Sequence, residues 1–348
     1  RILEMGVEIS WAYQSFKWKN NAKHNAAVTV VIIGLEKNNE RKNKILYSES
    51  LEKSVDNISP NLTESNDLIV SSRKKPLSNV PEMYFGNMPA DGGKLLFSLE
   101  EKNDIVCKNK CLEKYFKEII SAREFIGGKK RYCLWLVDQD ISELLNIAVL
   151  HEIIEDVRKI REKSSRPKLA QIPHLFAQIT QPPGKNYILI PRHSSENRNY
   201  IPMGFFSEEY IAHDSCLIIP DASPALFAIL NSKIHMVWVN AVAGRIKTDF
   251  TYSKDTVYNN FPIPFLSEKR IEELTELAFE ILHIRESYMV KSLAYLYSKE
   301  TMPNDLQDAH RKLDNYVDEI YSKAAQKTIK SDEDRLFVLS RLYNELRR

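Results

Sequence analysis

The run Ala26–Leu35, AAVTVVIIGL, constrains the fold more than any other stretch of this chain. Its β-branched residues lose side-chain freedom in a helix and pack well on a pleated surface. A continuous apolar strand of this kind reads as buried on both faces, as inside a mainly parallel sheet covered by helices. Residues 1–25 cannot supply the rest of such a sheet. They read as a helix or helix end followed by the polar turn FKWKNNAKHN. Residues 1–35 are therefore expected to be the tail of an α/β domain whose body lies outside this sequence.

Residues 36–80 are rich in Asn, Ser, Glu and Lys and poor in aromatics, which predicts a linker or long irregular connection. A mixed α/β region follows over 81–266, punctuated by turn signals at Asp91-Gly92-Gly93 and Gly127-Gly128. Strands are expected at Tyr132–Val137, Tyr187–Pro191 and Cys216–Ile219. Helices are expected at Leu112–Ile120, Ile141–Lys163 and Ala225–Val242. From Ser267 to the end the apolar spacing turns helical, through Ile271, Leu274, Leu277, Ala278, Ile281 and Leu282. Leu306–Ala324 and Asp332–Arg347 continue it. The expected class is α+β, with a mixed region at 81–266 and a helical region at 267–348.

The formal net charge is only +2, so any surface for a polyanion must come from local segregation of the 49 basic residues. The run Ala26–Leu35 is far too short to span a bilayer, and no membrane partner is expected. The four cysteines, Cys107, Cys111, Cys133 and Cys216, show no CxxC spacing. They read as reduced thiols of a cytoplasmic protein rather than metal ligands.

Gly244–Pro264, GRIKTDFTYSKDTVYNNFPIP, packs cations, acids, tyrosines and a paired Asn into a segment with little apolar periodicity. Lys247 and Asp249 stand two apart, and on an extended segment they would point to one side. Lysine is a donor suited to guanine, and aspartate an acceptor suited to the paired cytosine. An ordinary surface ion pair accounts for the same two residues, and the spacing leaves both readings open. Two further segments suit phosphates. One is the basic run Arg73-Lys74-Lys75. The other is Arg192–Tyr200, with Arg192, Ser194, Ser195 and Arg198 in a dense hydrogen-bonding set. A solvated loop is the plainer reading of the first, while for the second a solvated loop and a phosphate contact stand level.

Catalytic motifs are not found. There is no GxGxxG and no GxxxxGK[ST]. His151-Glu152-Ile153-Ile154-Glu155 begins like HExxH but ends in Glu, and reads as a charged helix face. Gln181-Pro182-Pro183-Gly184 lacks both the amide or carboxylate and the aromatic that an amino-methyltransferase loop needs, and reads as a turn. Pro220-Asp221 has no acidic-x-Lys partner for a metal-dependent nuclease. No cofactor or metal is expected on this chain.

Six separated segments resemble one family in order. They are SFKWKNNAKHNAAVTVVIIGL (15–35), SSRKKPLSNVPEMYFGNMPADGGKLLFSLEE (71–101), REFIGGKKRYCLWLVD (123–138), YILIPRHSSENRNYIPMGFF (187–206), ILNSKIHMVWVNAVAGRIKTDFTYSKDTVYNNFPIP (229–264) and TMPNDLQDAHRKLDNYVDEIY (301–321). The chain is similar to the C-terminal part of the MmeI-like (type IIL) restriction–modification enzymes. In that family one polypeptide carries a nuclease, an adenine-N6 DNA methyltransferase, a target recognition domain and a helical C-terminal region.

The resemblance implies that 1–35 is a methyltransferase remnant, 36–80 a linker, 81–266 the DNA target recognition domain and 267–348 the helical C-terminal domain. It implies double-stranded DNA as partner, together with methyltransferase and nuclease domains in cis. S-adenosylmethionine, and Mg for a nuclease, would serve the complete enzyme, not these residues. It also implies that Lys247 and Asp249 select the base beside the methylated adenine, a guanine in an adenine–guanine step. Arg73, Lys74, Lys75, Arg192 and Arg198 would grip phosphates. Arg245, Tyr252, Asn259 and Asn260 would support the readout, although Asn259–Pro262 also reads as a structural turn into the last helices. A methylase-only phage-defence enzyme would share this module. A helical protein-interaction scaffold that touches no DNA is the reading from another class.

Overall fold

The computed structural model describes residues 5–18, 28–37, 43–48, 51–60, 62 and 68–347. The first sheet contains β1 (Val7–Trp18), β2 (Val28–Lys37), β3 (Lys44–Tyr47) and β4 (Glu52–Val55), in the order β2-β1-β3-β4. Two expectations are corrected here. Val7–Trp18 in the described part of 1–25 is a strand, not a helix, because it pairs along its length with β2 and over Trp11–Tyr13 with β3. Residues 19–25 lie outside the described residues. The apolar run does form a strand, β2, but it is antiparallel to β1 and sits at the sheet edge. Val31, Ile32, Ile33 and Leu35 are exposed, so it is not buried on both faces within this chain.

Residues 44–55, read from composition as part of a connection, instead supply two paired strands, β3 and β4. Residues 71–80 form neither helix nor strand but are fastened by hydrogen bonds to 255–263, among them Leu77 N–H to the Asn259 carbonyl at 2.7 Å.

The mixed region begins with β5 (Tyr84–Phe85), β6 (Leu96–Phe97), α1 (Leu99–Lys108), a 3-10 turn over Lys110–Tyr115, β7 (Phe116–Ile120), α2 (Ala122–Gly127) and β8 (Tyr132–Leu134). Next come α3 (Ile141–Leu145), α4 (Ala148–Glu162), β9 (Tyr187–Pro191), β10 (His193–Ser194), β11 (Gly204–Phe206), β12 (Ile211–Ala212) and β13 (Cys216–Pro220). Then follow α5 (Pro224–Leu230), α6 (Lys233–Val242), β14 (Gly244–Ile246) and β15 (Asp249–Thr251). The helical end contains α7 (Glu268–Ser287), α8 (Leu293–Leu296), α9 (Asn304–Ala325) and α10 (Asp332–Leu346).

Leu112–Ile120 is thus not a helix. Its second half pairs with β8 on one side and β12 on the other, and Phe116, Ile119 and Ile120 are buried there. Ile141–Lys163 and Ala225–Val242 are each two helices. The second pair breaks at Asn231-Ser232 with a 58° bend. Asn231 is buried and returns its side-chain N–H to the Phe227 carbonyl, at 3.0 Å, which satisfies the end of α5. No single described helix is long and apolar enough to cross a membrane.

Sheet β11-β9-β13-β5 packs its Ile188, Ile190, Leu217 and Ile219 against α5 and α6. The same core continues into α7, α9 and α10 through Leu274, Leu313, Val317 and Leu339. The helical end is therefore a wall of the mixed region's own core. Sheet β12-β7-β8-β6 builds a second core with α3 and α4. Beside it the buried Arg161 donates to the carbonyls of Pro89, Ala90, Leu169, Ile172 and Leu175, which solvates its charge with backbone dipoles.

Candidate nucleic-acid interface

The chain leaves α6 and turns back on itself as the hairpin β14–β15. Ile246 pairs with Asp249, so Lys247 and Thr248 form a two-residue turn. Lys247 has φ of 59°, the left-handed region that favours glycine. This corrects the expected geometry. The pair does not lie on an extended segment with both side chains on one face. It is placed at a hairpin tip, with Lys247 in the turn and Asp249 at the start of β15. Both are exposed. Among the described residues neither side chain makes a hydrogen bond or ion pair, so the surface-ion-pair reading finds no ion pair.

Arg245 fixes the tip. Its Nη1 donates to the Thr248 carbonyl at 2.8 Å and its Nη2 to Asn240 Oδ1 at 2.5 Å. The guanidinium lies over the Phe250 ring, 4.3 Å from its centroid. Burial pulls the Arg245 pKa below its usual value, against the opposing pull of Glu196. Phe250 is buried and roots the hairpin in the main core.

The second segment reaches the hairpin through sheet β10-β15-β14. His193 pairs with Thr251 and Ser194 with Phe250. Ser194 is buried beneath the sheet and accepts a long bond, 3.4 Å, from Arg198 Nη1. Burial lowers the Arg198 pKa, and the nearby Asp249 carboxylate opposes that shift. Arg198 Nε is buried and has no partner. Ser195 Oγ accepts from the Asn197 N–H at 3.3 Å. Arg192 faces the body of the protein, donating to the Asp214 carbonyl at 3.1 Å and lying over Phe85.

The basic run is pinned to the single π turn Lys254–Tyr258 that follows β15. Arg73 N–H donates to the Asp255 carbonyl at 2.9 Å. Lys74 pairs with the Asp255 carboxylate at 3.2 Å. Lys74 and Lys75 are exposed. Asn259 Nδ2 donates to the Arg73 carbonyl at 2.8 Å, and Asn260 Nδ2 to the carbonyls of Ser71, Asp255 and Thr256. Both asparagines are buried, as is Tyr252, whose hydroxyl meets His235 Nε2 at 3.0 Å. These three residues build the platform and do not face solvent. Segments 192–198 and 245–249 thus meet in one small sheet, and 73–75 is tied to the turn that follows it.

Sequence reasoning missed the residues that hold the segments together. Asn240, five residues before Arg245 on α6, carried no signal of a hairpin brace. Asp255 read as one more charge in a polar stretch. Lys299 lies on the helical end yet donates its Nζ to the Glu196 carbonyl at 3.1 Å, and its backbone N–H bonds the Asn197 carbonyl.

Comparison with known proteins agrees along the whole chain. Residues 1–48 match the model of the MmeI DNA-methyltransferase domain, 64–265 the MmeI target recognition domain, and 266–348 the MmeI C-terminal domain. DNA methyltransferase A of Bacillus subtilis (strain 168) is 45% identical over 349 residues, covering 99% of this chain and 39% of that protein. The structure of the type IIL restriction-modification enzyme MmeI in complex with DNA superimposes with a TM-score of 0.94 at 37% identity. That match covers 99% of this chain and 47% of the MmeI chain. The chain thus spans less than half the length of either relative. With the target recognition model alone matching more than half of its residues, this chain belongs to the MmeI family.

Proposed function

We propose that this chain is the DNA target recognition module of a restriction–modification enzyme, and that it reads a G·C base pair with Lys247 and Asp249. One observation carries the reading. The two side chains stand exposed, with no hydrogen bond or ion pair among the described residues, on a braced hairpin whose sheet takes in the 192–198 segment. Lysine donates to guanine O6 and N7, and aspartate accepts from cytosine N4, at about 1–3 kcal/mol of discrimination for each good contact. Arg73, Lys74, Lys75 and Arg198 suit phosphates, as does the Ser195 hydroxyl. Arg198 has an unused buried donor, which favours an anion beside it. Ser194, Tyr252, Asn259 and Asn260 act beneath the surface by fixing its shape, and Arg192 and Arg245 brace it through backbone and side-chain hydrogen bonds.

The complete enzyme would transfer a methyl group from S-adenosylmethionine to adenine N6 beside this base pair, in the cytoplasm. The residues described do not fit that cofactor. The first sheet has no glycine turn between a strand and a helix, and its one strand glycine, Gly34, is covered by the Trp11 indole. Nor do the described residues gather three His, Cys, Asp or Glu side chains around a metal position. No methyl-transfer or hydrolytic step is assigned to them. A second reading, in which the complete protein methylates without cutting, is supported by the Bacillus subtilis relative, named as a methyltransferase. The recognition module is the same in both.

Titrating fluorescent duplexes with this chain at stepped salt tests the reading. Binding should weaken linearly in log–log form, because releasing condensed counterions into more concentrated salt gains less entropy. A scaffold that does not touch DNA would show no binding at any salt.

A further inference from the structure

The helical end and the second core meet at a place outside the recognition hairpin. Helix α2 packs against α8. The turn that leaves α2, Gly127–Arg131, is open to solvent, and Gly128 caps the helix in the left-handed region with φ of 69°. Segments 123–131 and 291–299 together carry Arg123, Lys129, Lys130, Arg131, Lys291 and Lys299 against one acid, Glu124. Glu124 is buried and accepts from the Ser121 hydroxyl. The local charge is therefore +6 − 1 = +5, where the whole chain carries +2.

The opposing acids nearby are Glu118, Glu101 and Glu300, the last next to Lys299 in the chain. Lys130 meets Glu118 at 3.5 Å with its own side chain 64% exposed, and Arg131 is felt by Glu101. Exposed pairs of this kind hold little energy and yield readily to a stronger anion. Lys129 and Arg123 are exposed and make no ion pair among the described residues. Lys291 lies over the Tyr295 ring, 4.6 Å from its centroid, which keeps the ammonium at the surface. Lys299 ties this strip to the Glu196 carbonyl, and Arg198 bridges to Ser298. The strip is thus continuous with the loop that borders the hairpin.

We infer that this strip is a second phosphate-binding surface, which engages the duplex backbone beyond the base pair read by the hairpin. It rests on the DNA-recognition reading and adds a contact outside the hairpin and its two flanking segments. Two chain segments about 170 residues apart build it, so the helical region contributes directly to DNA grip. Its chemistry is that of lysine and arginine against phosphate, with no base selectivity.

The test is salt-dependent duplex binding by the 348-residue chain carrying K129Q, K130Q and K291Q together, with unfolding temperature as the check on folding. Each lost phosphate contact removes about 0.9 from the slope of log K against log salt, so the slope should fall by about 2 to 3. Discrimination at the base pair read by Lys247 and Asp249 should not change. Neutralising Lys269, Lys312 and Lys323 on α7 and α9 should leave the slope intact. An unchanged slope in the first variant, with wild-type binding salt-dependent, overturns the strip alone. An equal fall in the control variant overturns it too, because the effect would then be general charge. Wild-type chain that does not bind duplex at all removes the DNA-recognition reading and the strip with it.

Discussion

Ser194 is the direct cross-strand partner of Phe250, the residue next to Asp249. That register joins the 192–198 loop to the β14–β15 hairpin. Because side chains alternate along a strand, a slip of one residue would turn Phe250 out of the core and Asp249 in. The exposure of Asp249 therefore depends on the burial of Phe250.

Lys247 occupies a backbone conformation that costs an L-residue of order 1 kcal/mol or more, while glycine adopts it freely. Lys247→Gly should raise stability by about 1 kcal/mol, measured by urea unfolding, and abolish the preference at its base pair. A stable variant with intact preference would show that the lysine reads nothing.

Arg245 braces the turn through Thr248 and Asn240. Arg245→Ala should cost about 1–2 kcal/mol for two lost hydrogen bonds and blunt base discrimination more than it weakens nonspecific binding. Competition assays with matched and mismatched duplexes separate the two. Equal loss for both duplexes would make Arg245 a phosphate contact instead.

Asn260 closes three carbonyls with one amide. Asn260→Ala removes three part-buried hydrogen bonds and should destabilise the chain by about 1–3 kcal/mol. The loss should appear as a lower urea midpoint, with faster proteolysis near Arg73. A midpoint within experimental error of wild type would contradict the clamp.

Burial holds His235 and His310 down to about 3, well below the usual histidine value. Each therefore lends stability that is complete above about pH 6.5 and drains as pH falls toward 3, about 2 kcal/mol per residue by pH 5. Burial also lifts Asp314 to about 6, although Tyr200 and the Lys233 N–H both donate to it at 2.6 Å. Its contribution has the opposite sign, complete below about pH 4 and lost as pH rises through 6. At pH 5 it returns about 1 kcal/mol. Stability should thus fall by about 3 kcal/mol from pH 7 to pH 5, and His310→Phe should flatten that fall. A wild-type curve level over this range would contradict the burial of both rings.

The sequence made the late helices and the central strands legible, because the apolar spacing of Ile271–Leu282 and the run at Tyr187–Pro191 each fit one period. Gly244–Pro264 stood out for its residue types, yet its shape did not. Lysine and threonine carry none of the usual turn signals, and the hairpin forms because Phe250 is anchored and Arg245 bonds across. The strand character of residues 7–18 was hidden for a related reason, since its partners β2 and β3 come later in the chain. The platform roles of Asn259 and Asn260 depend on residues 71–73, nearly 190 positions away, which no local pattern encodes.

Exchanging the pair proposed to read the base, with Lys247→Glu and Asp249→Arg in one variant, tests the central claim most directly. Binding to duplexes that differ only at this base pair is the measurement. The variant should shift its preference from guanine toward cytosine, with each contact worth about 1–3 kcal/mol, while its salt dependence stays close to wild type. A folded variant that retains its preference for guanine would contradict base reading by Lys247 and Asp249.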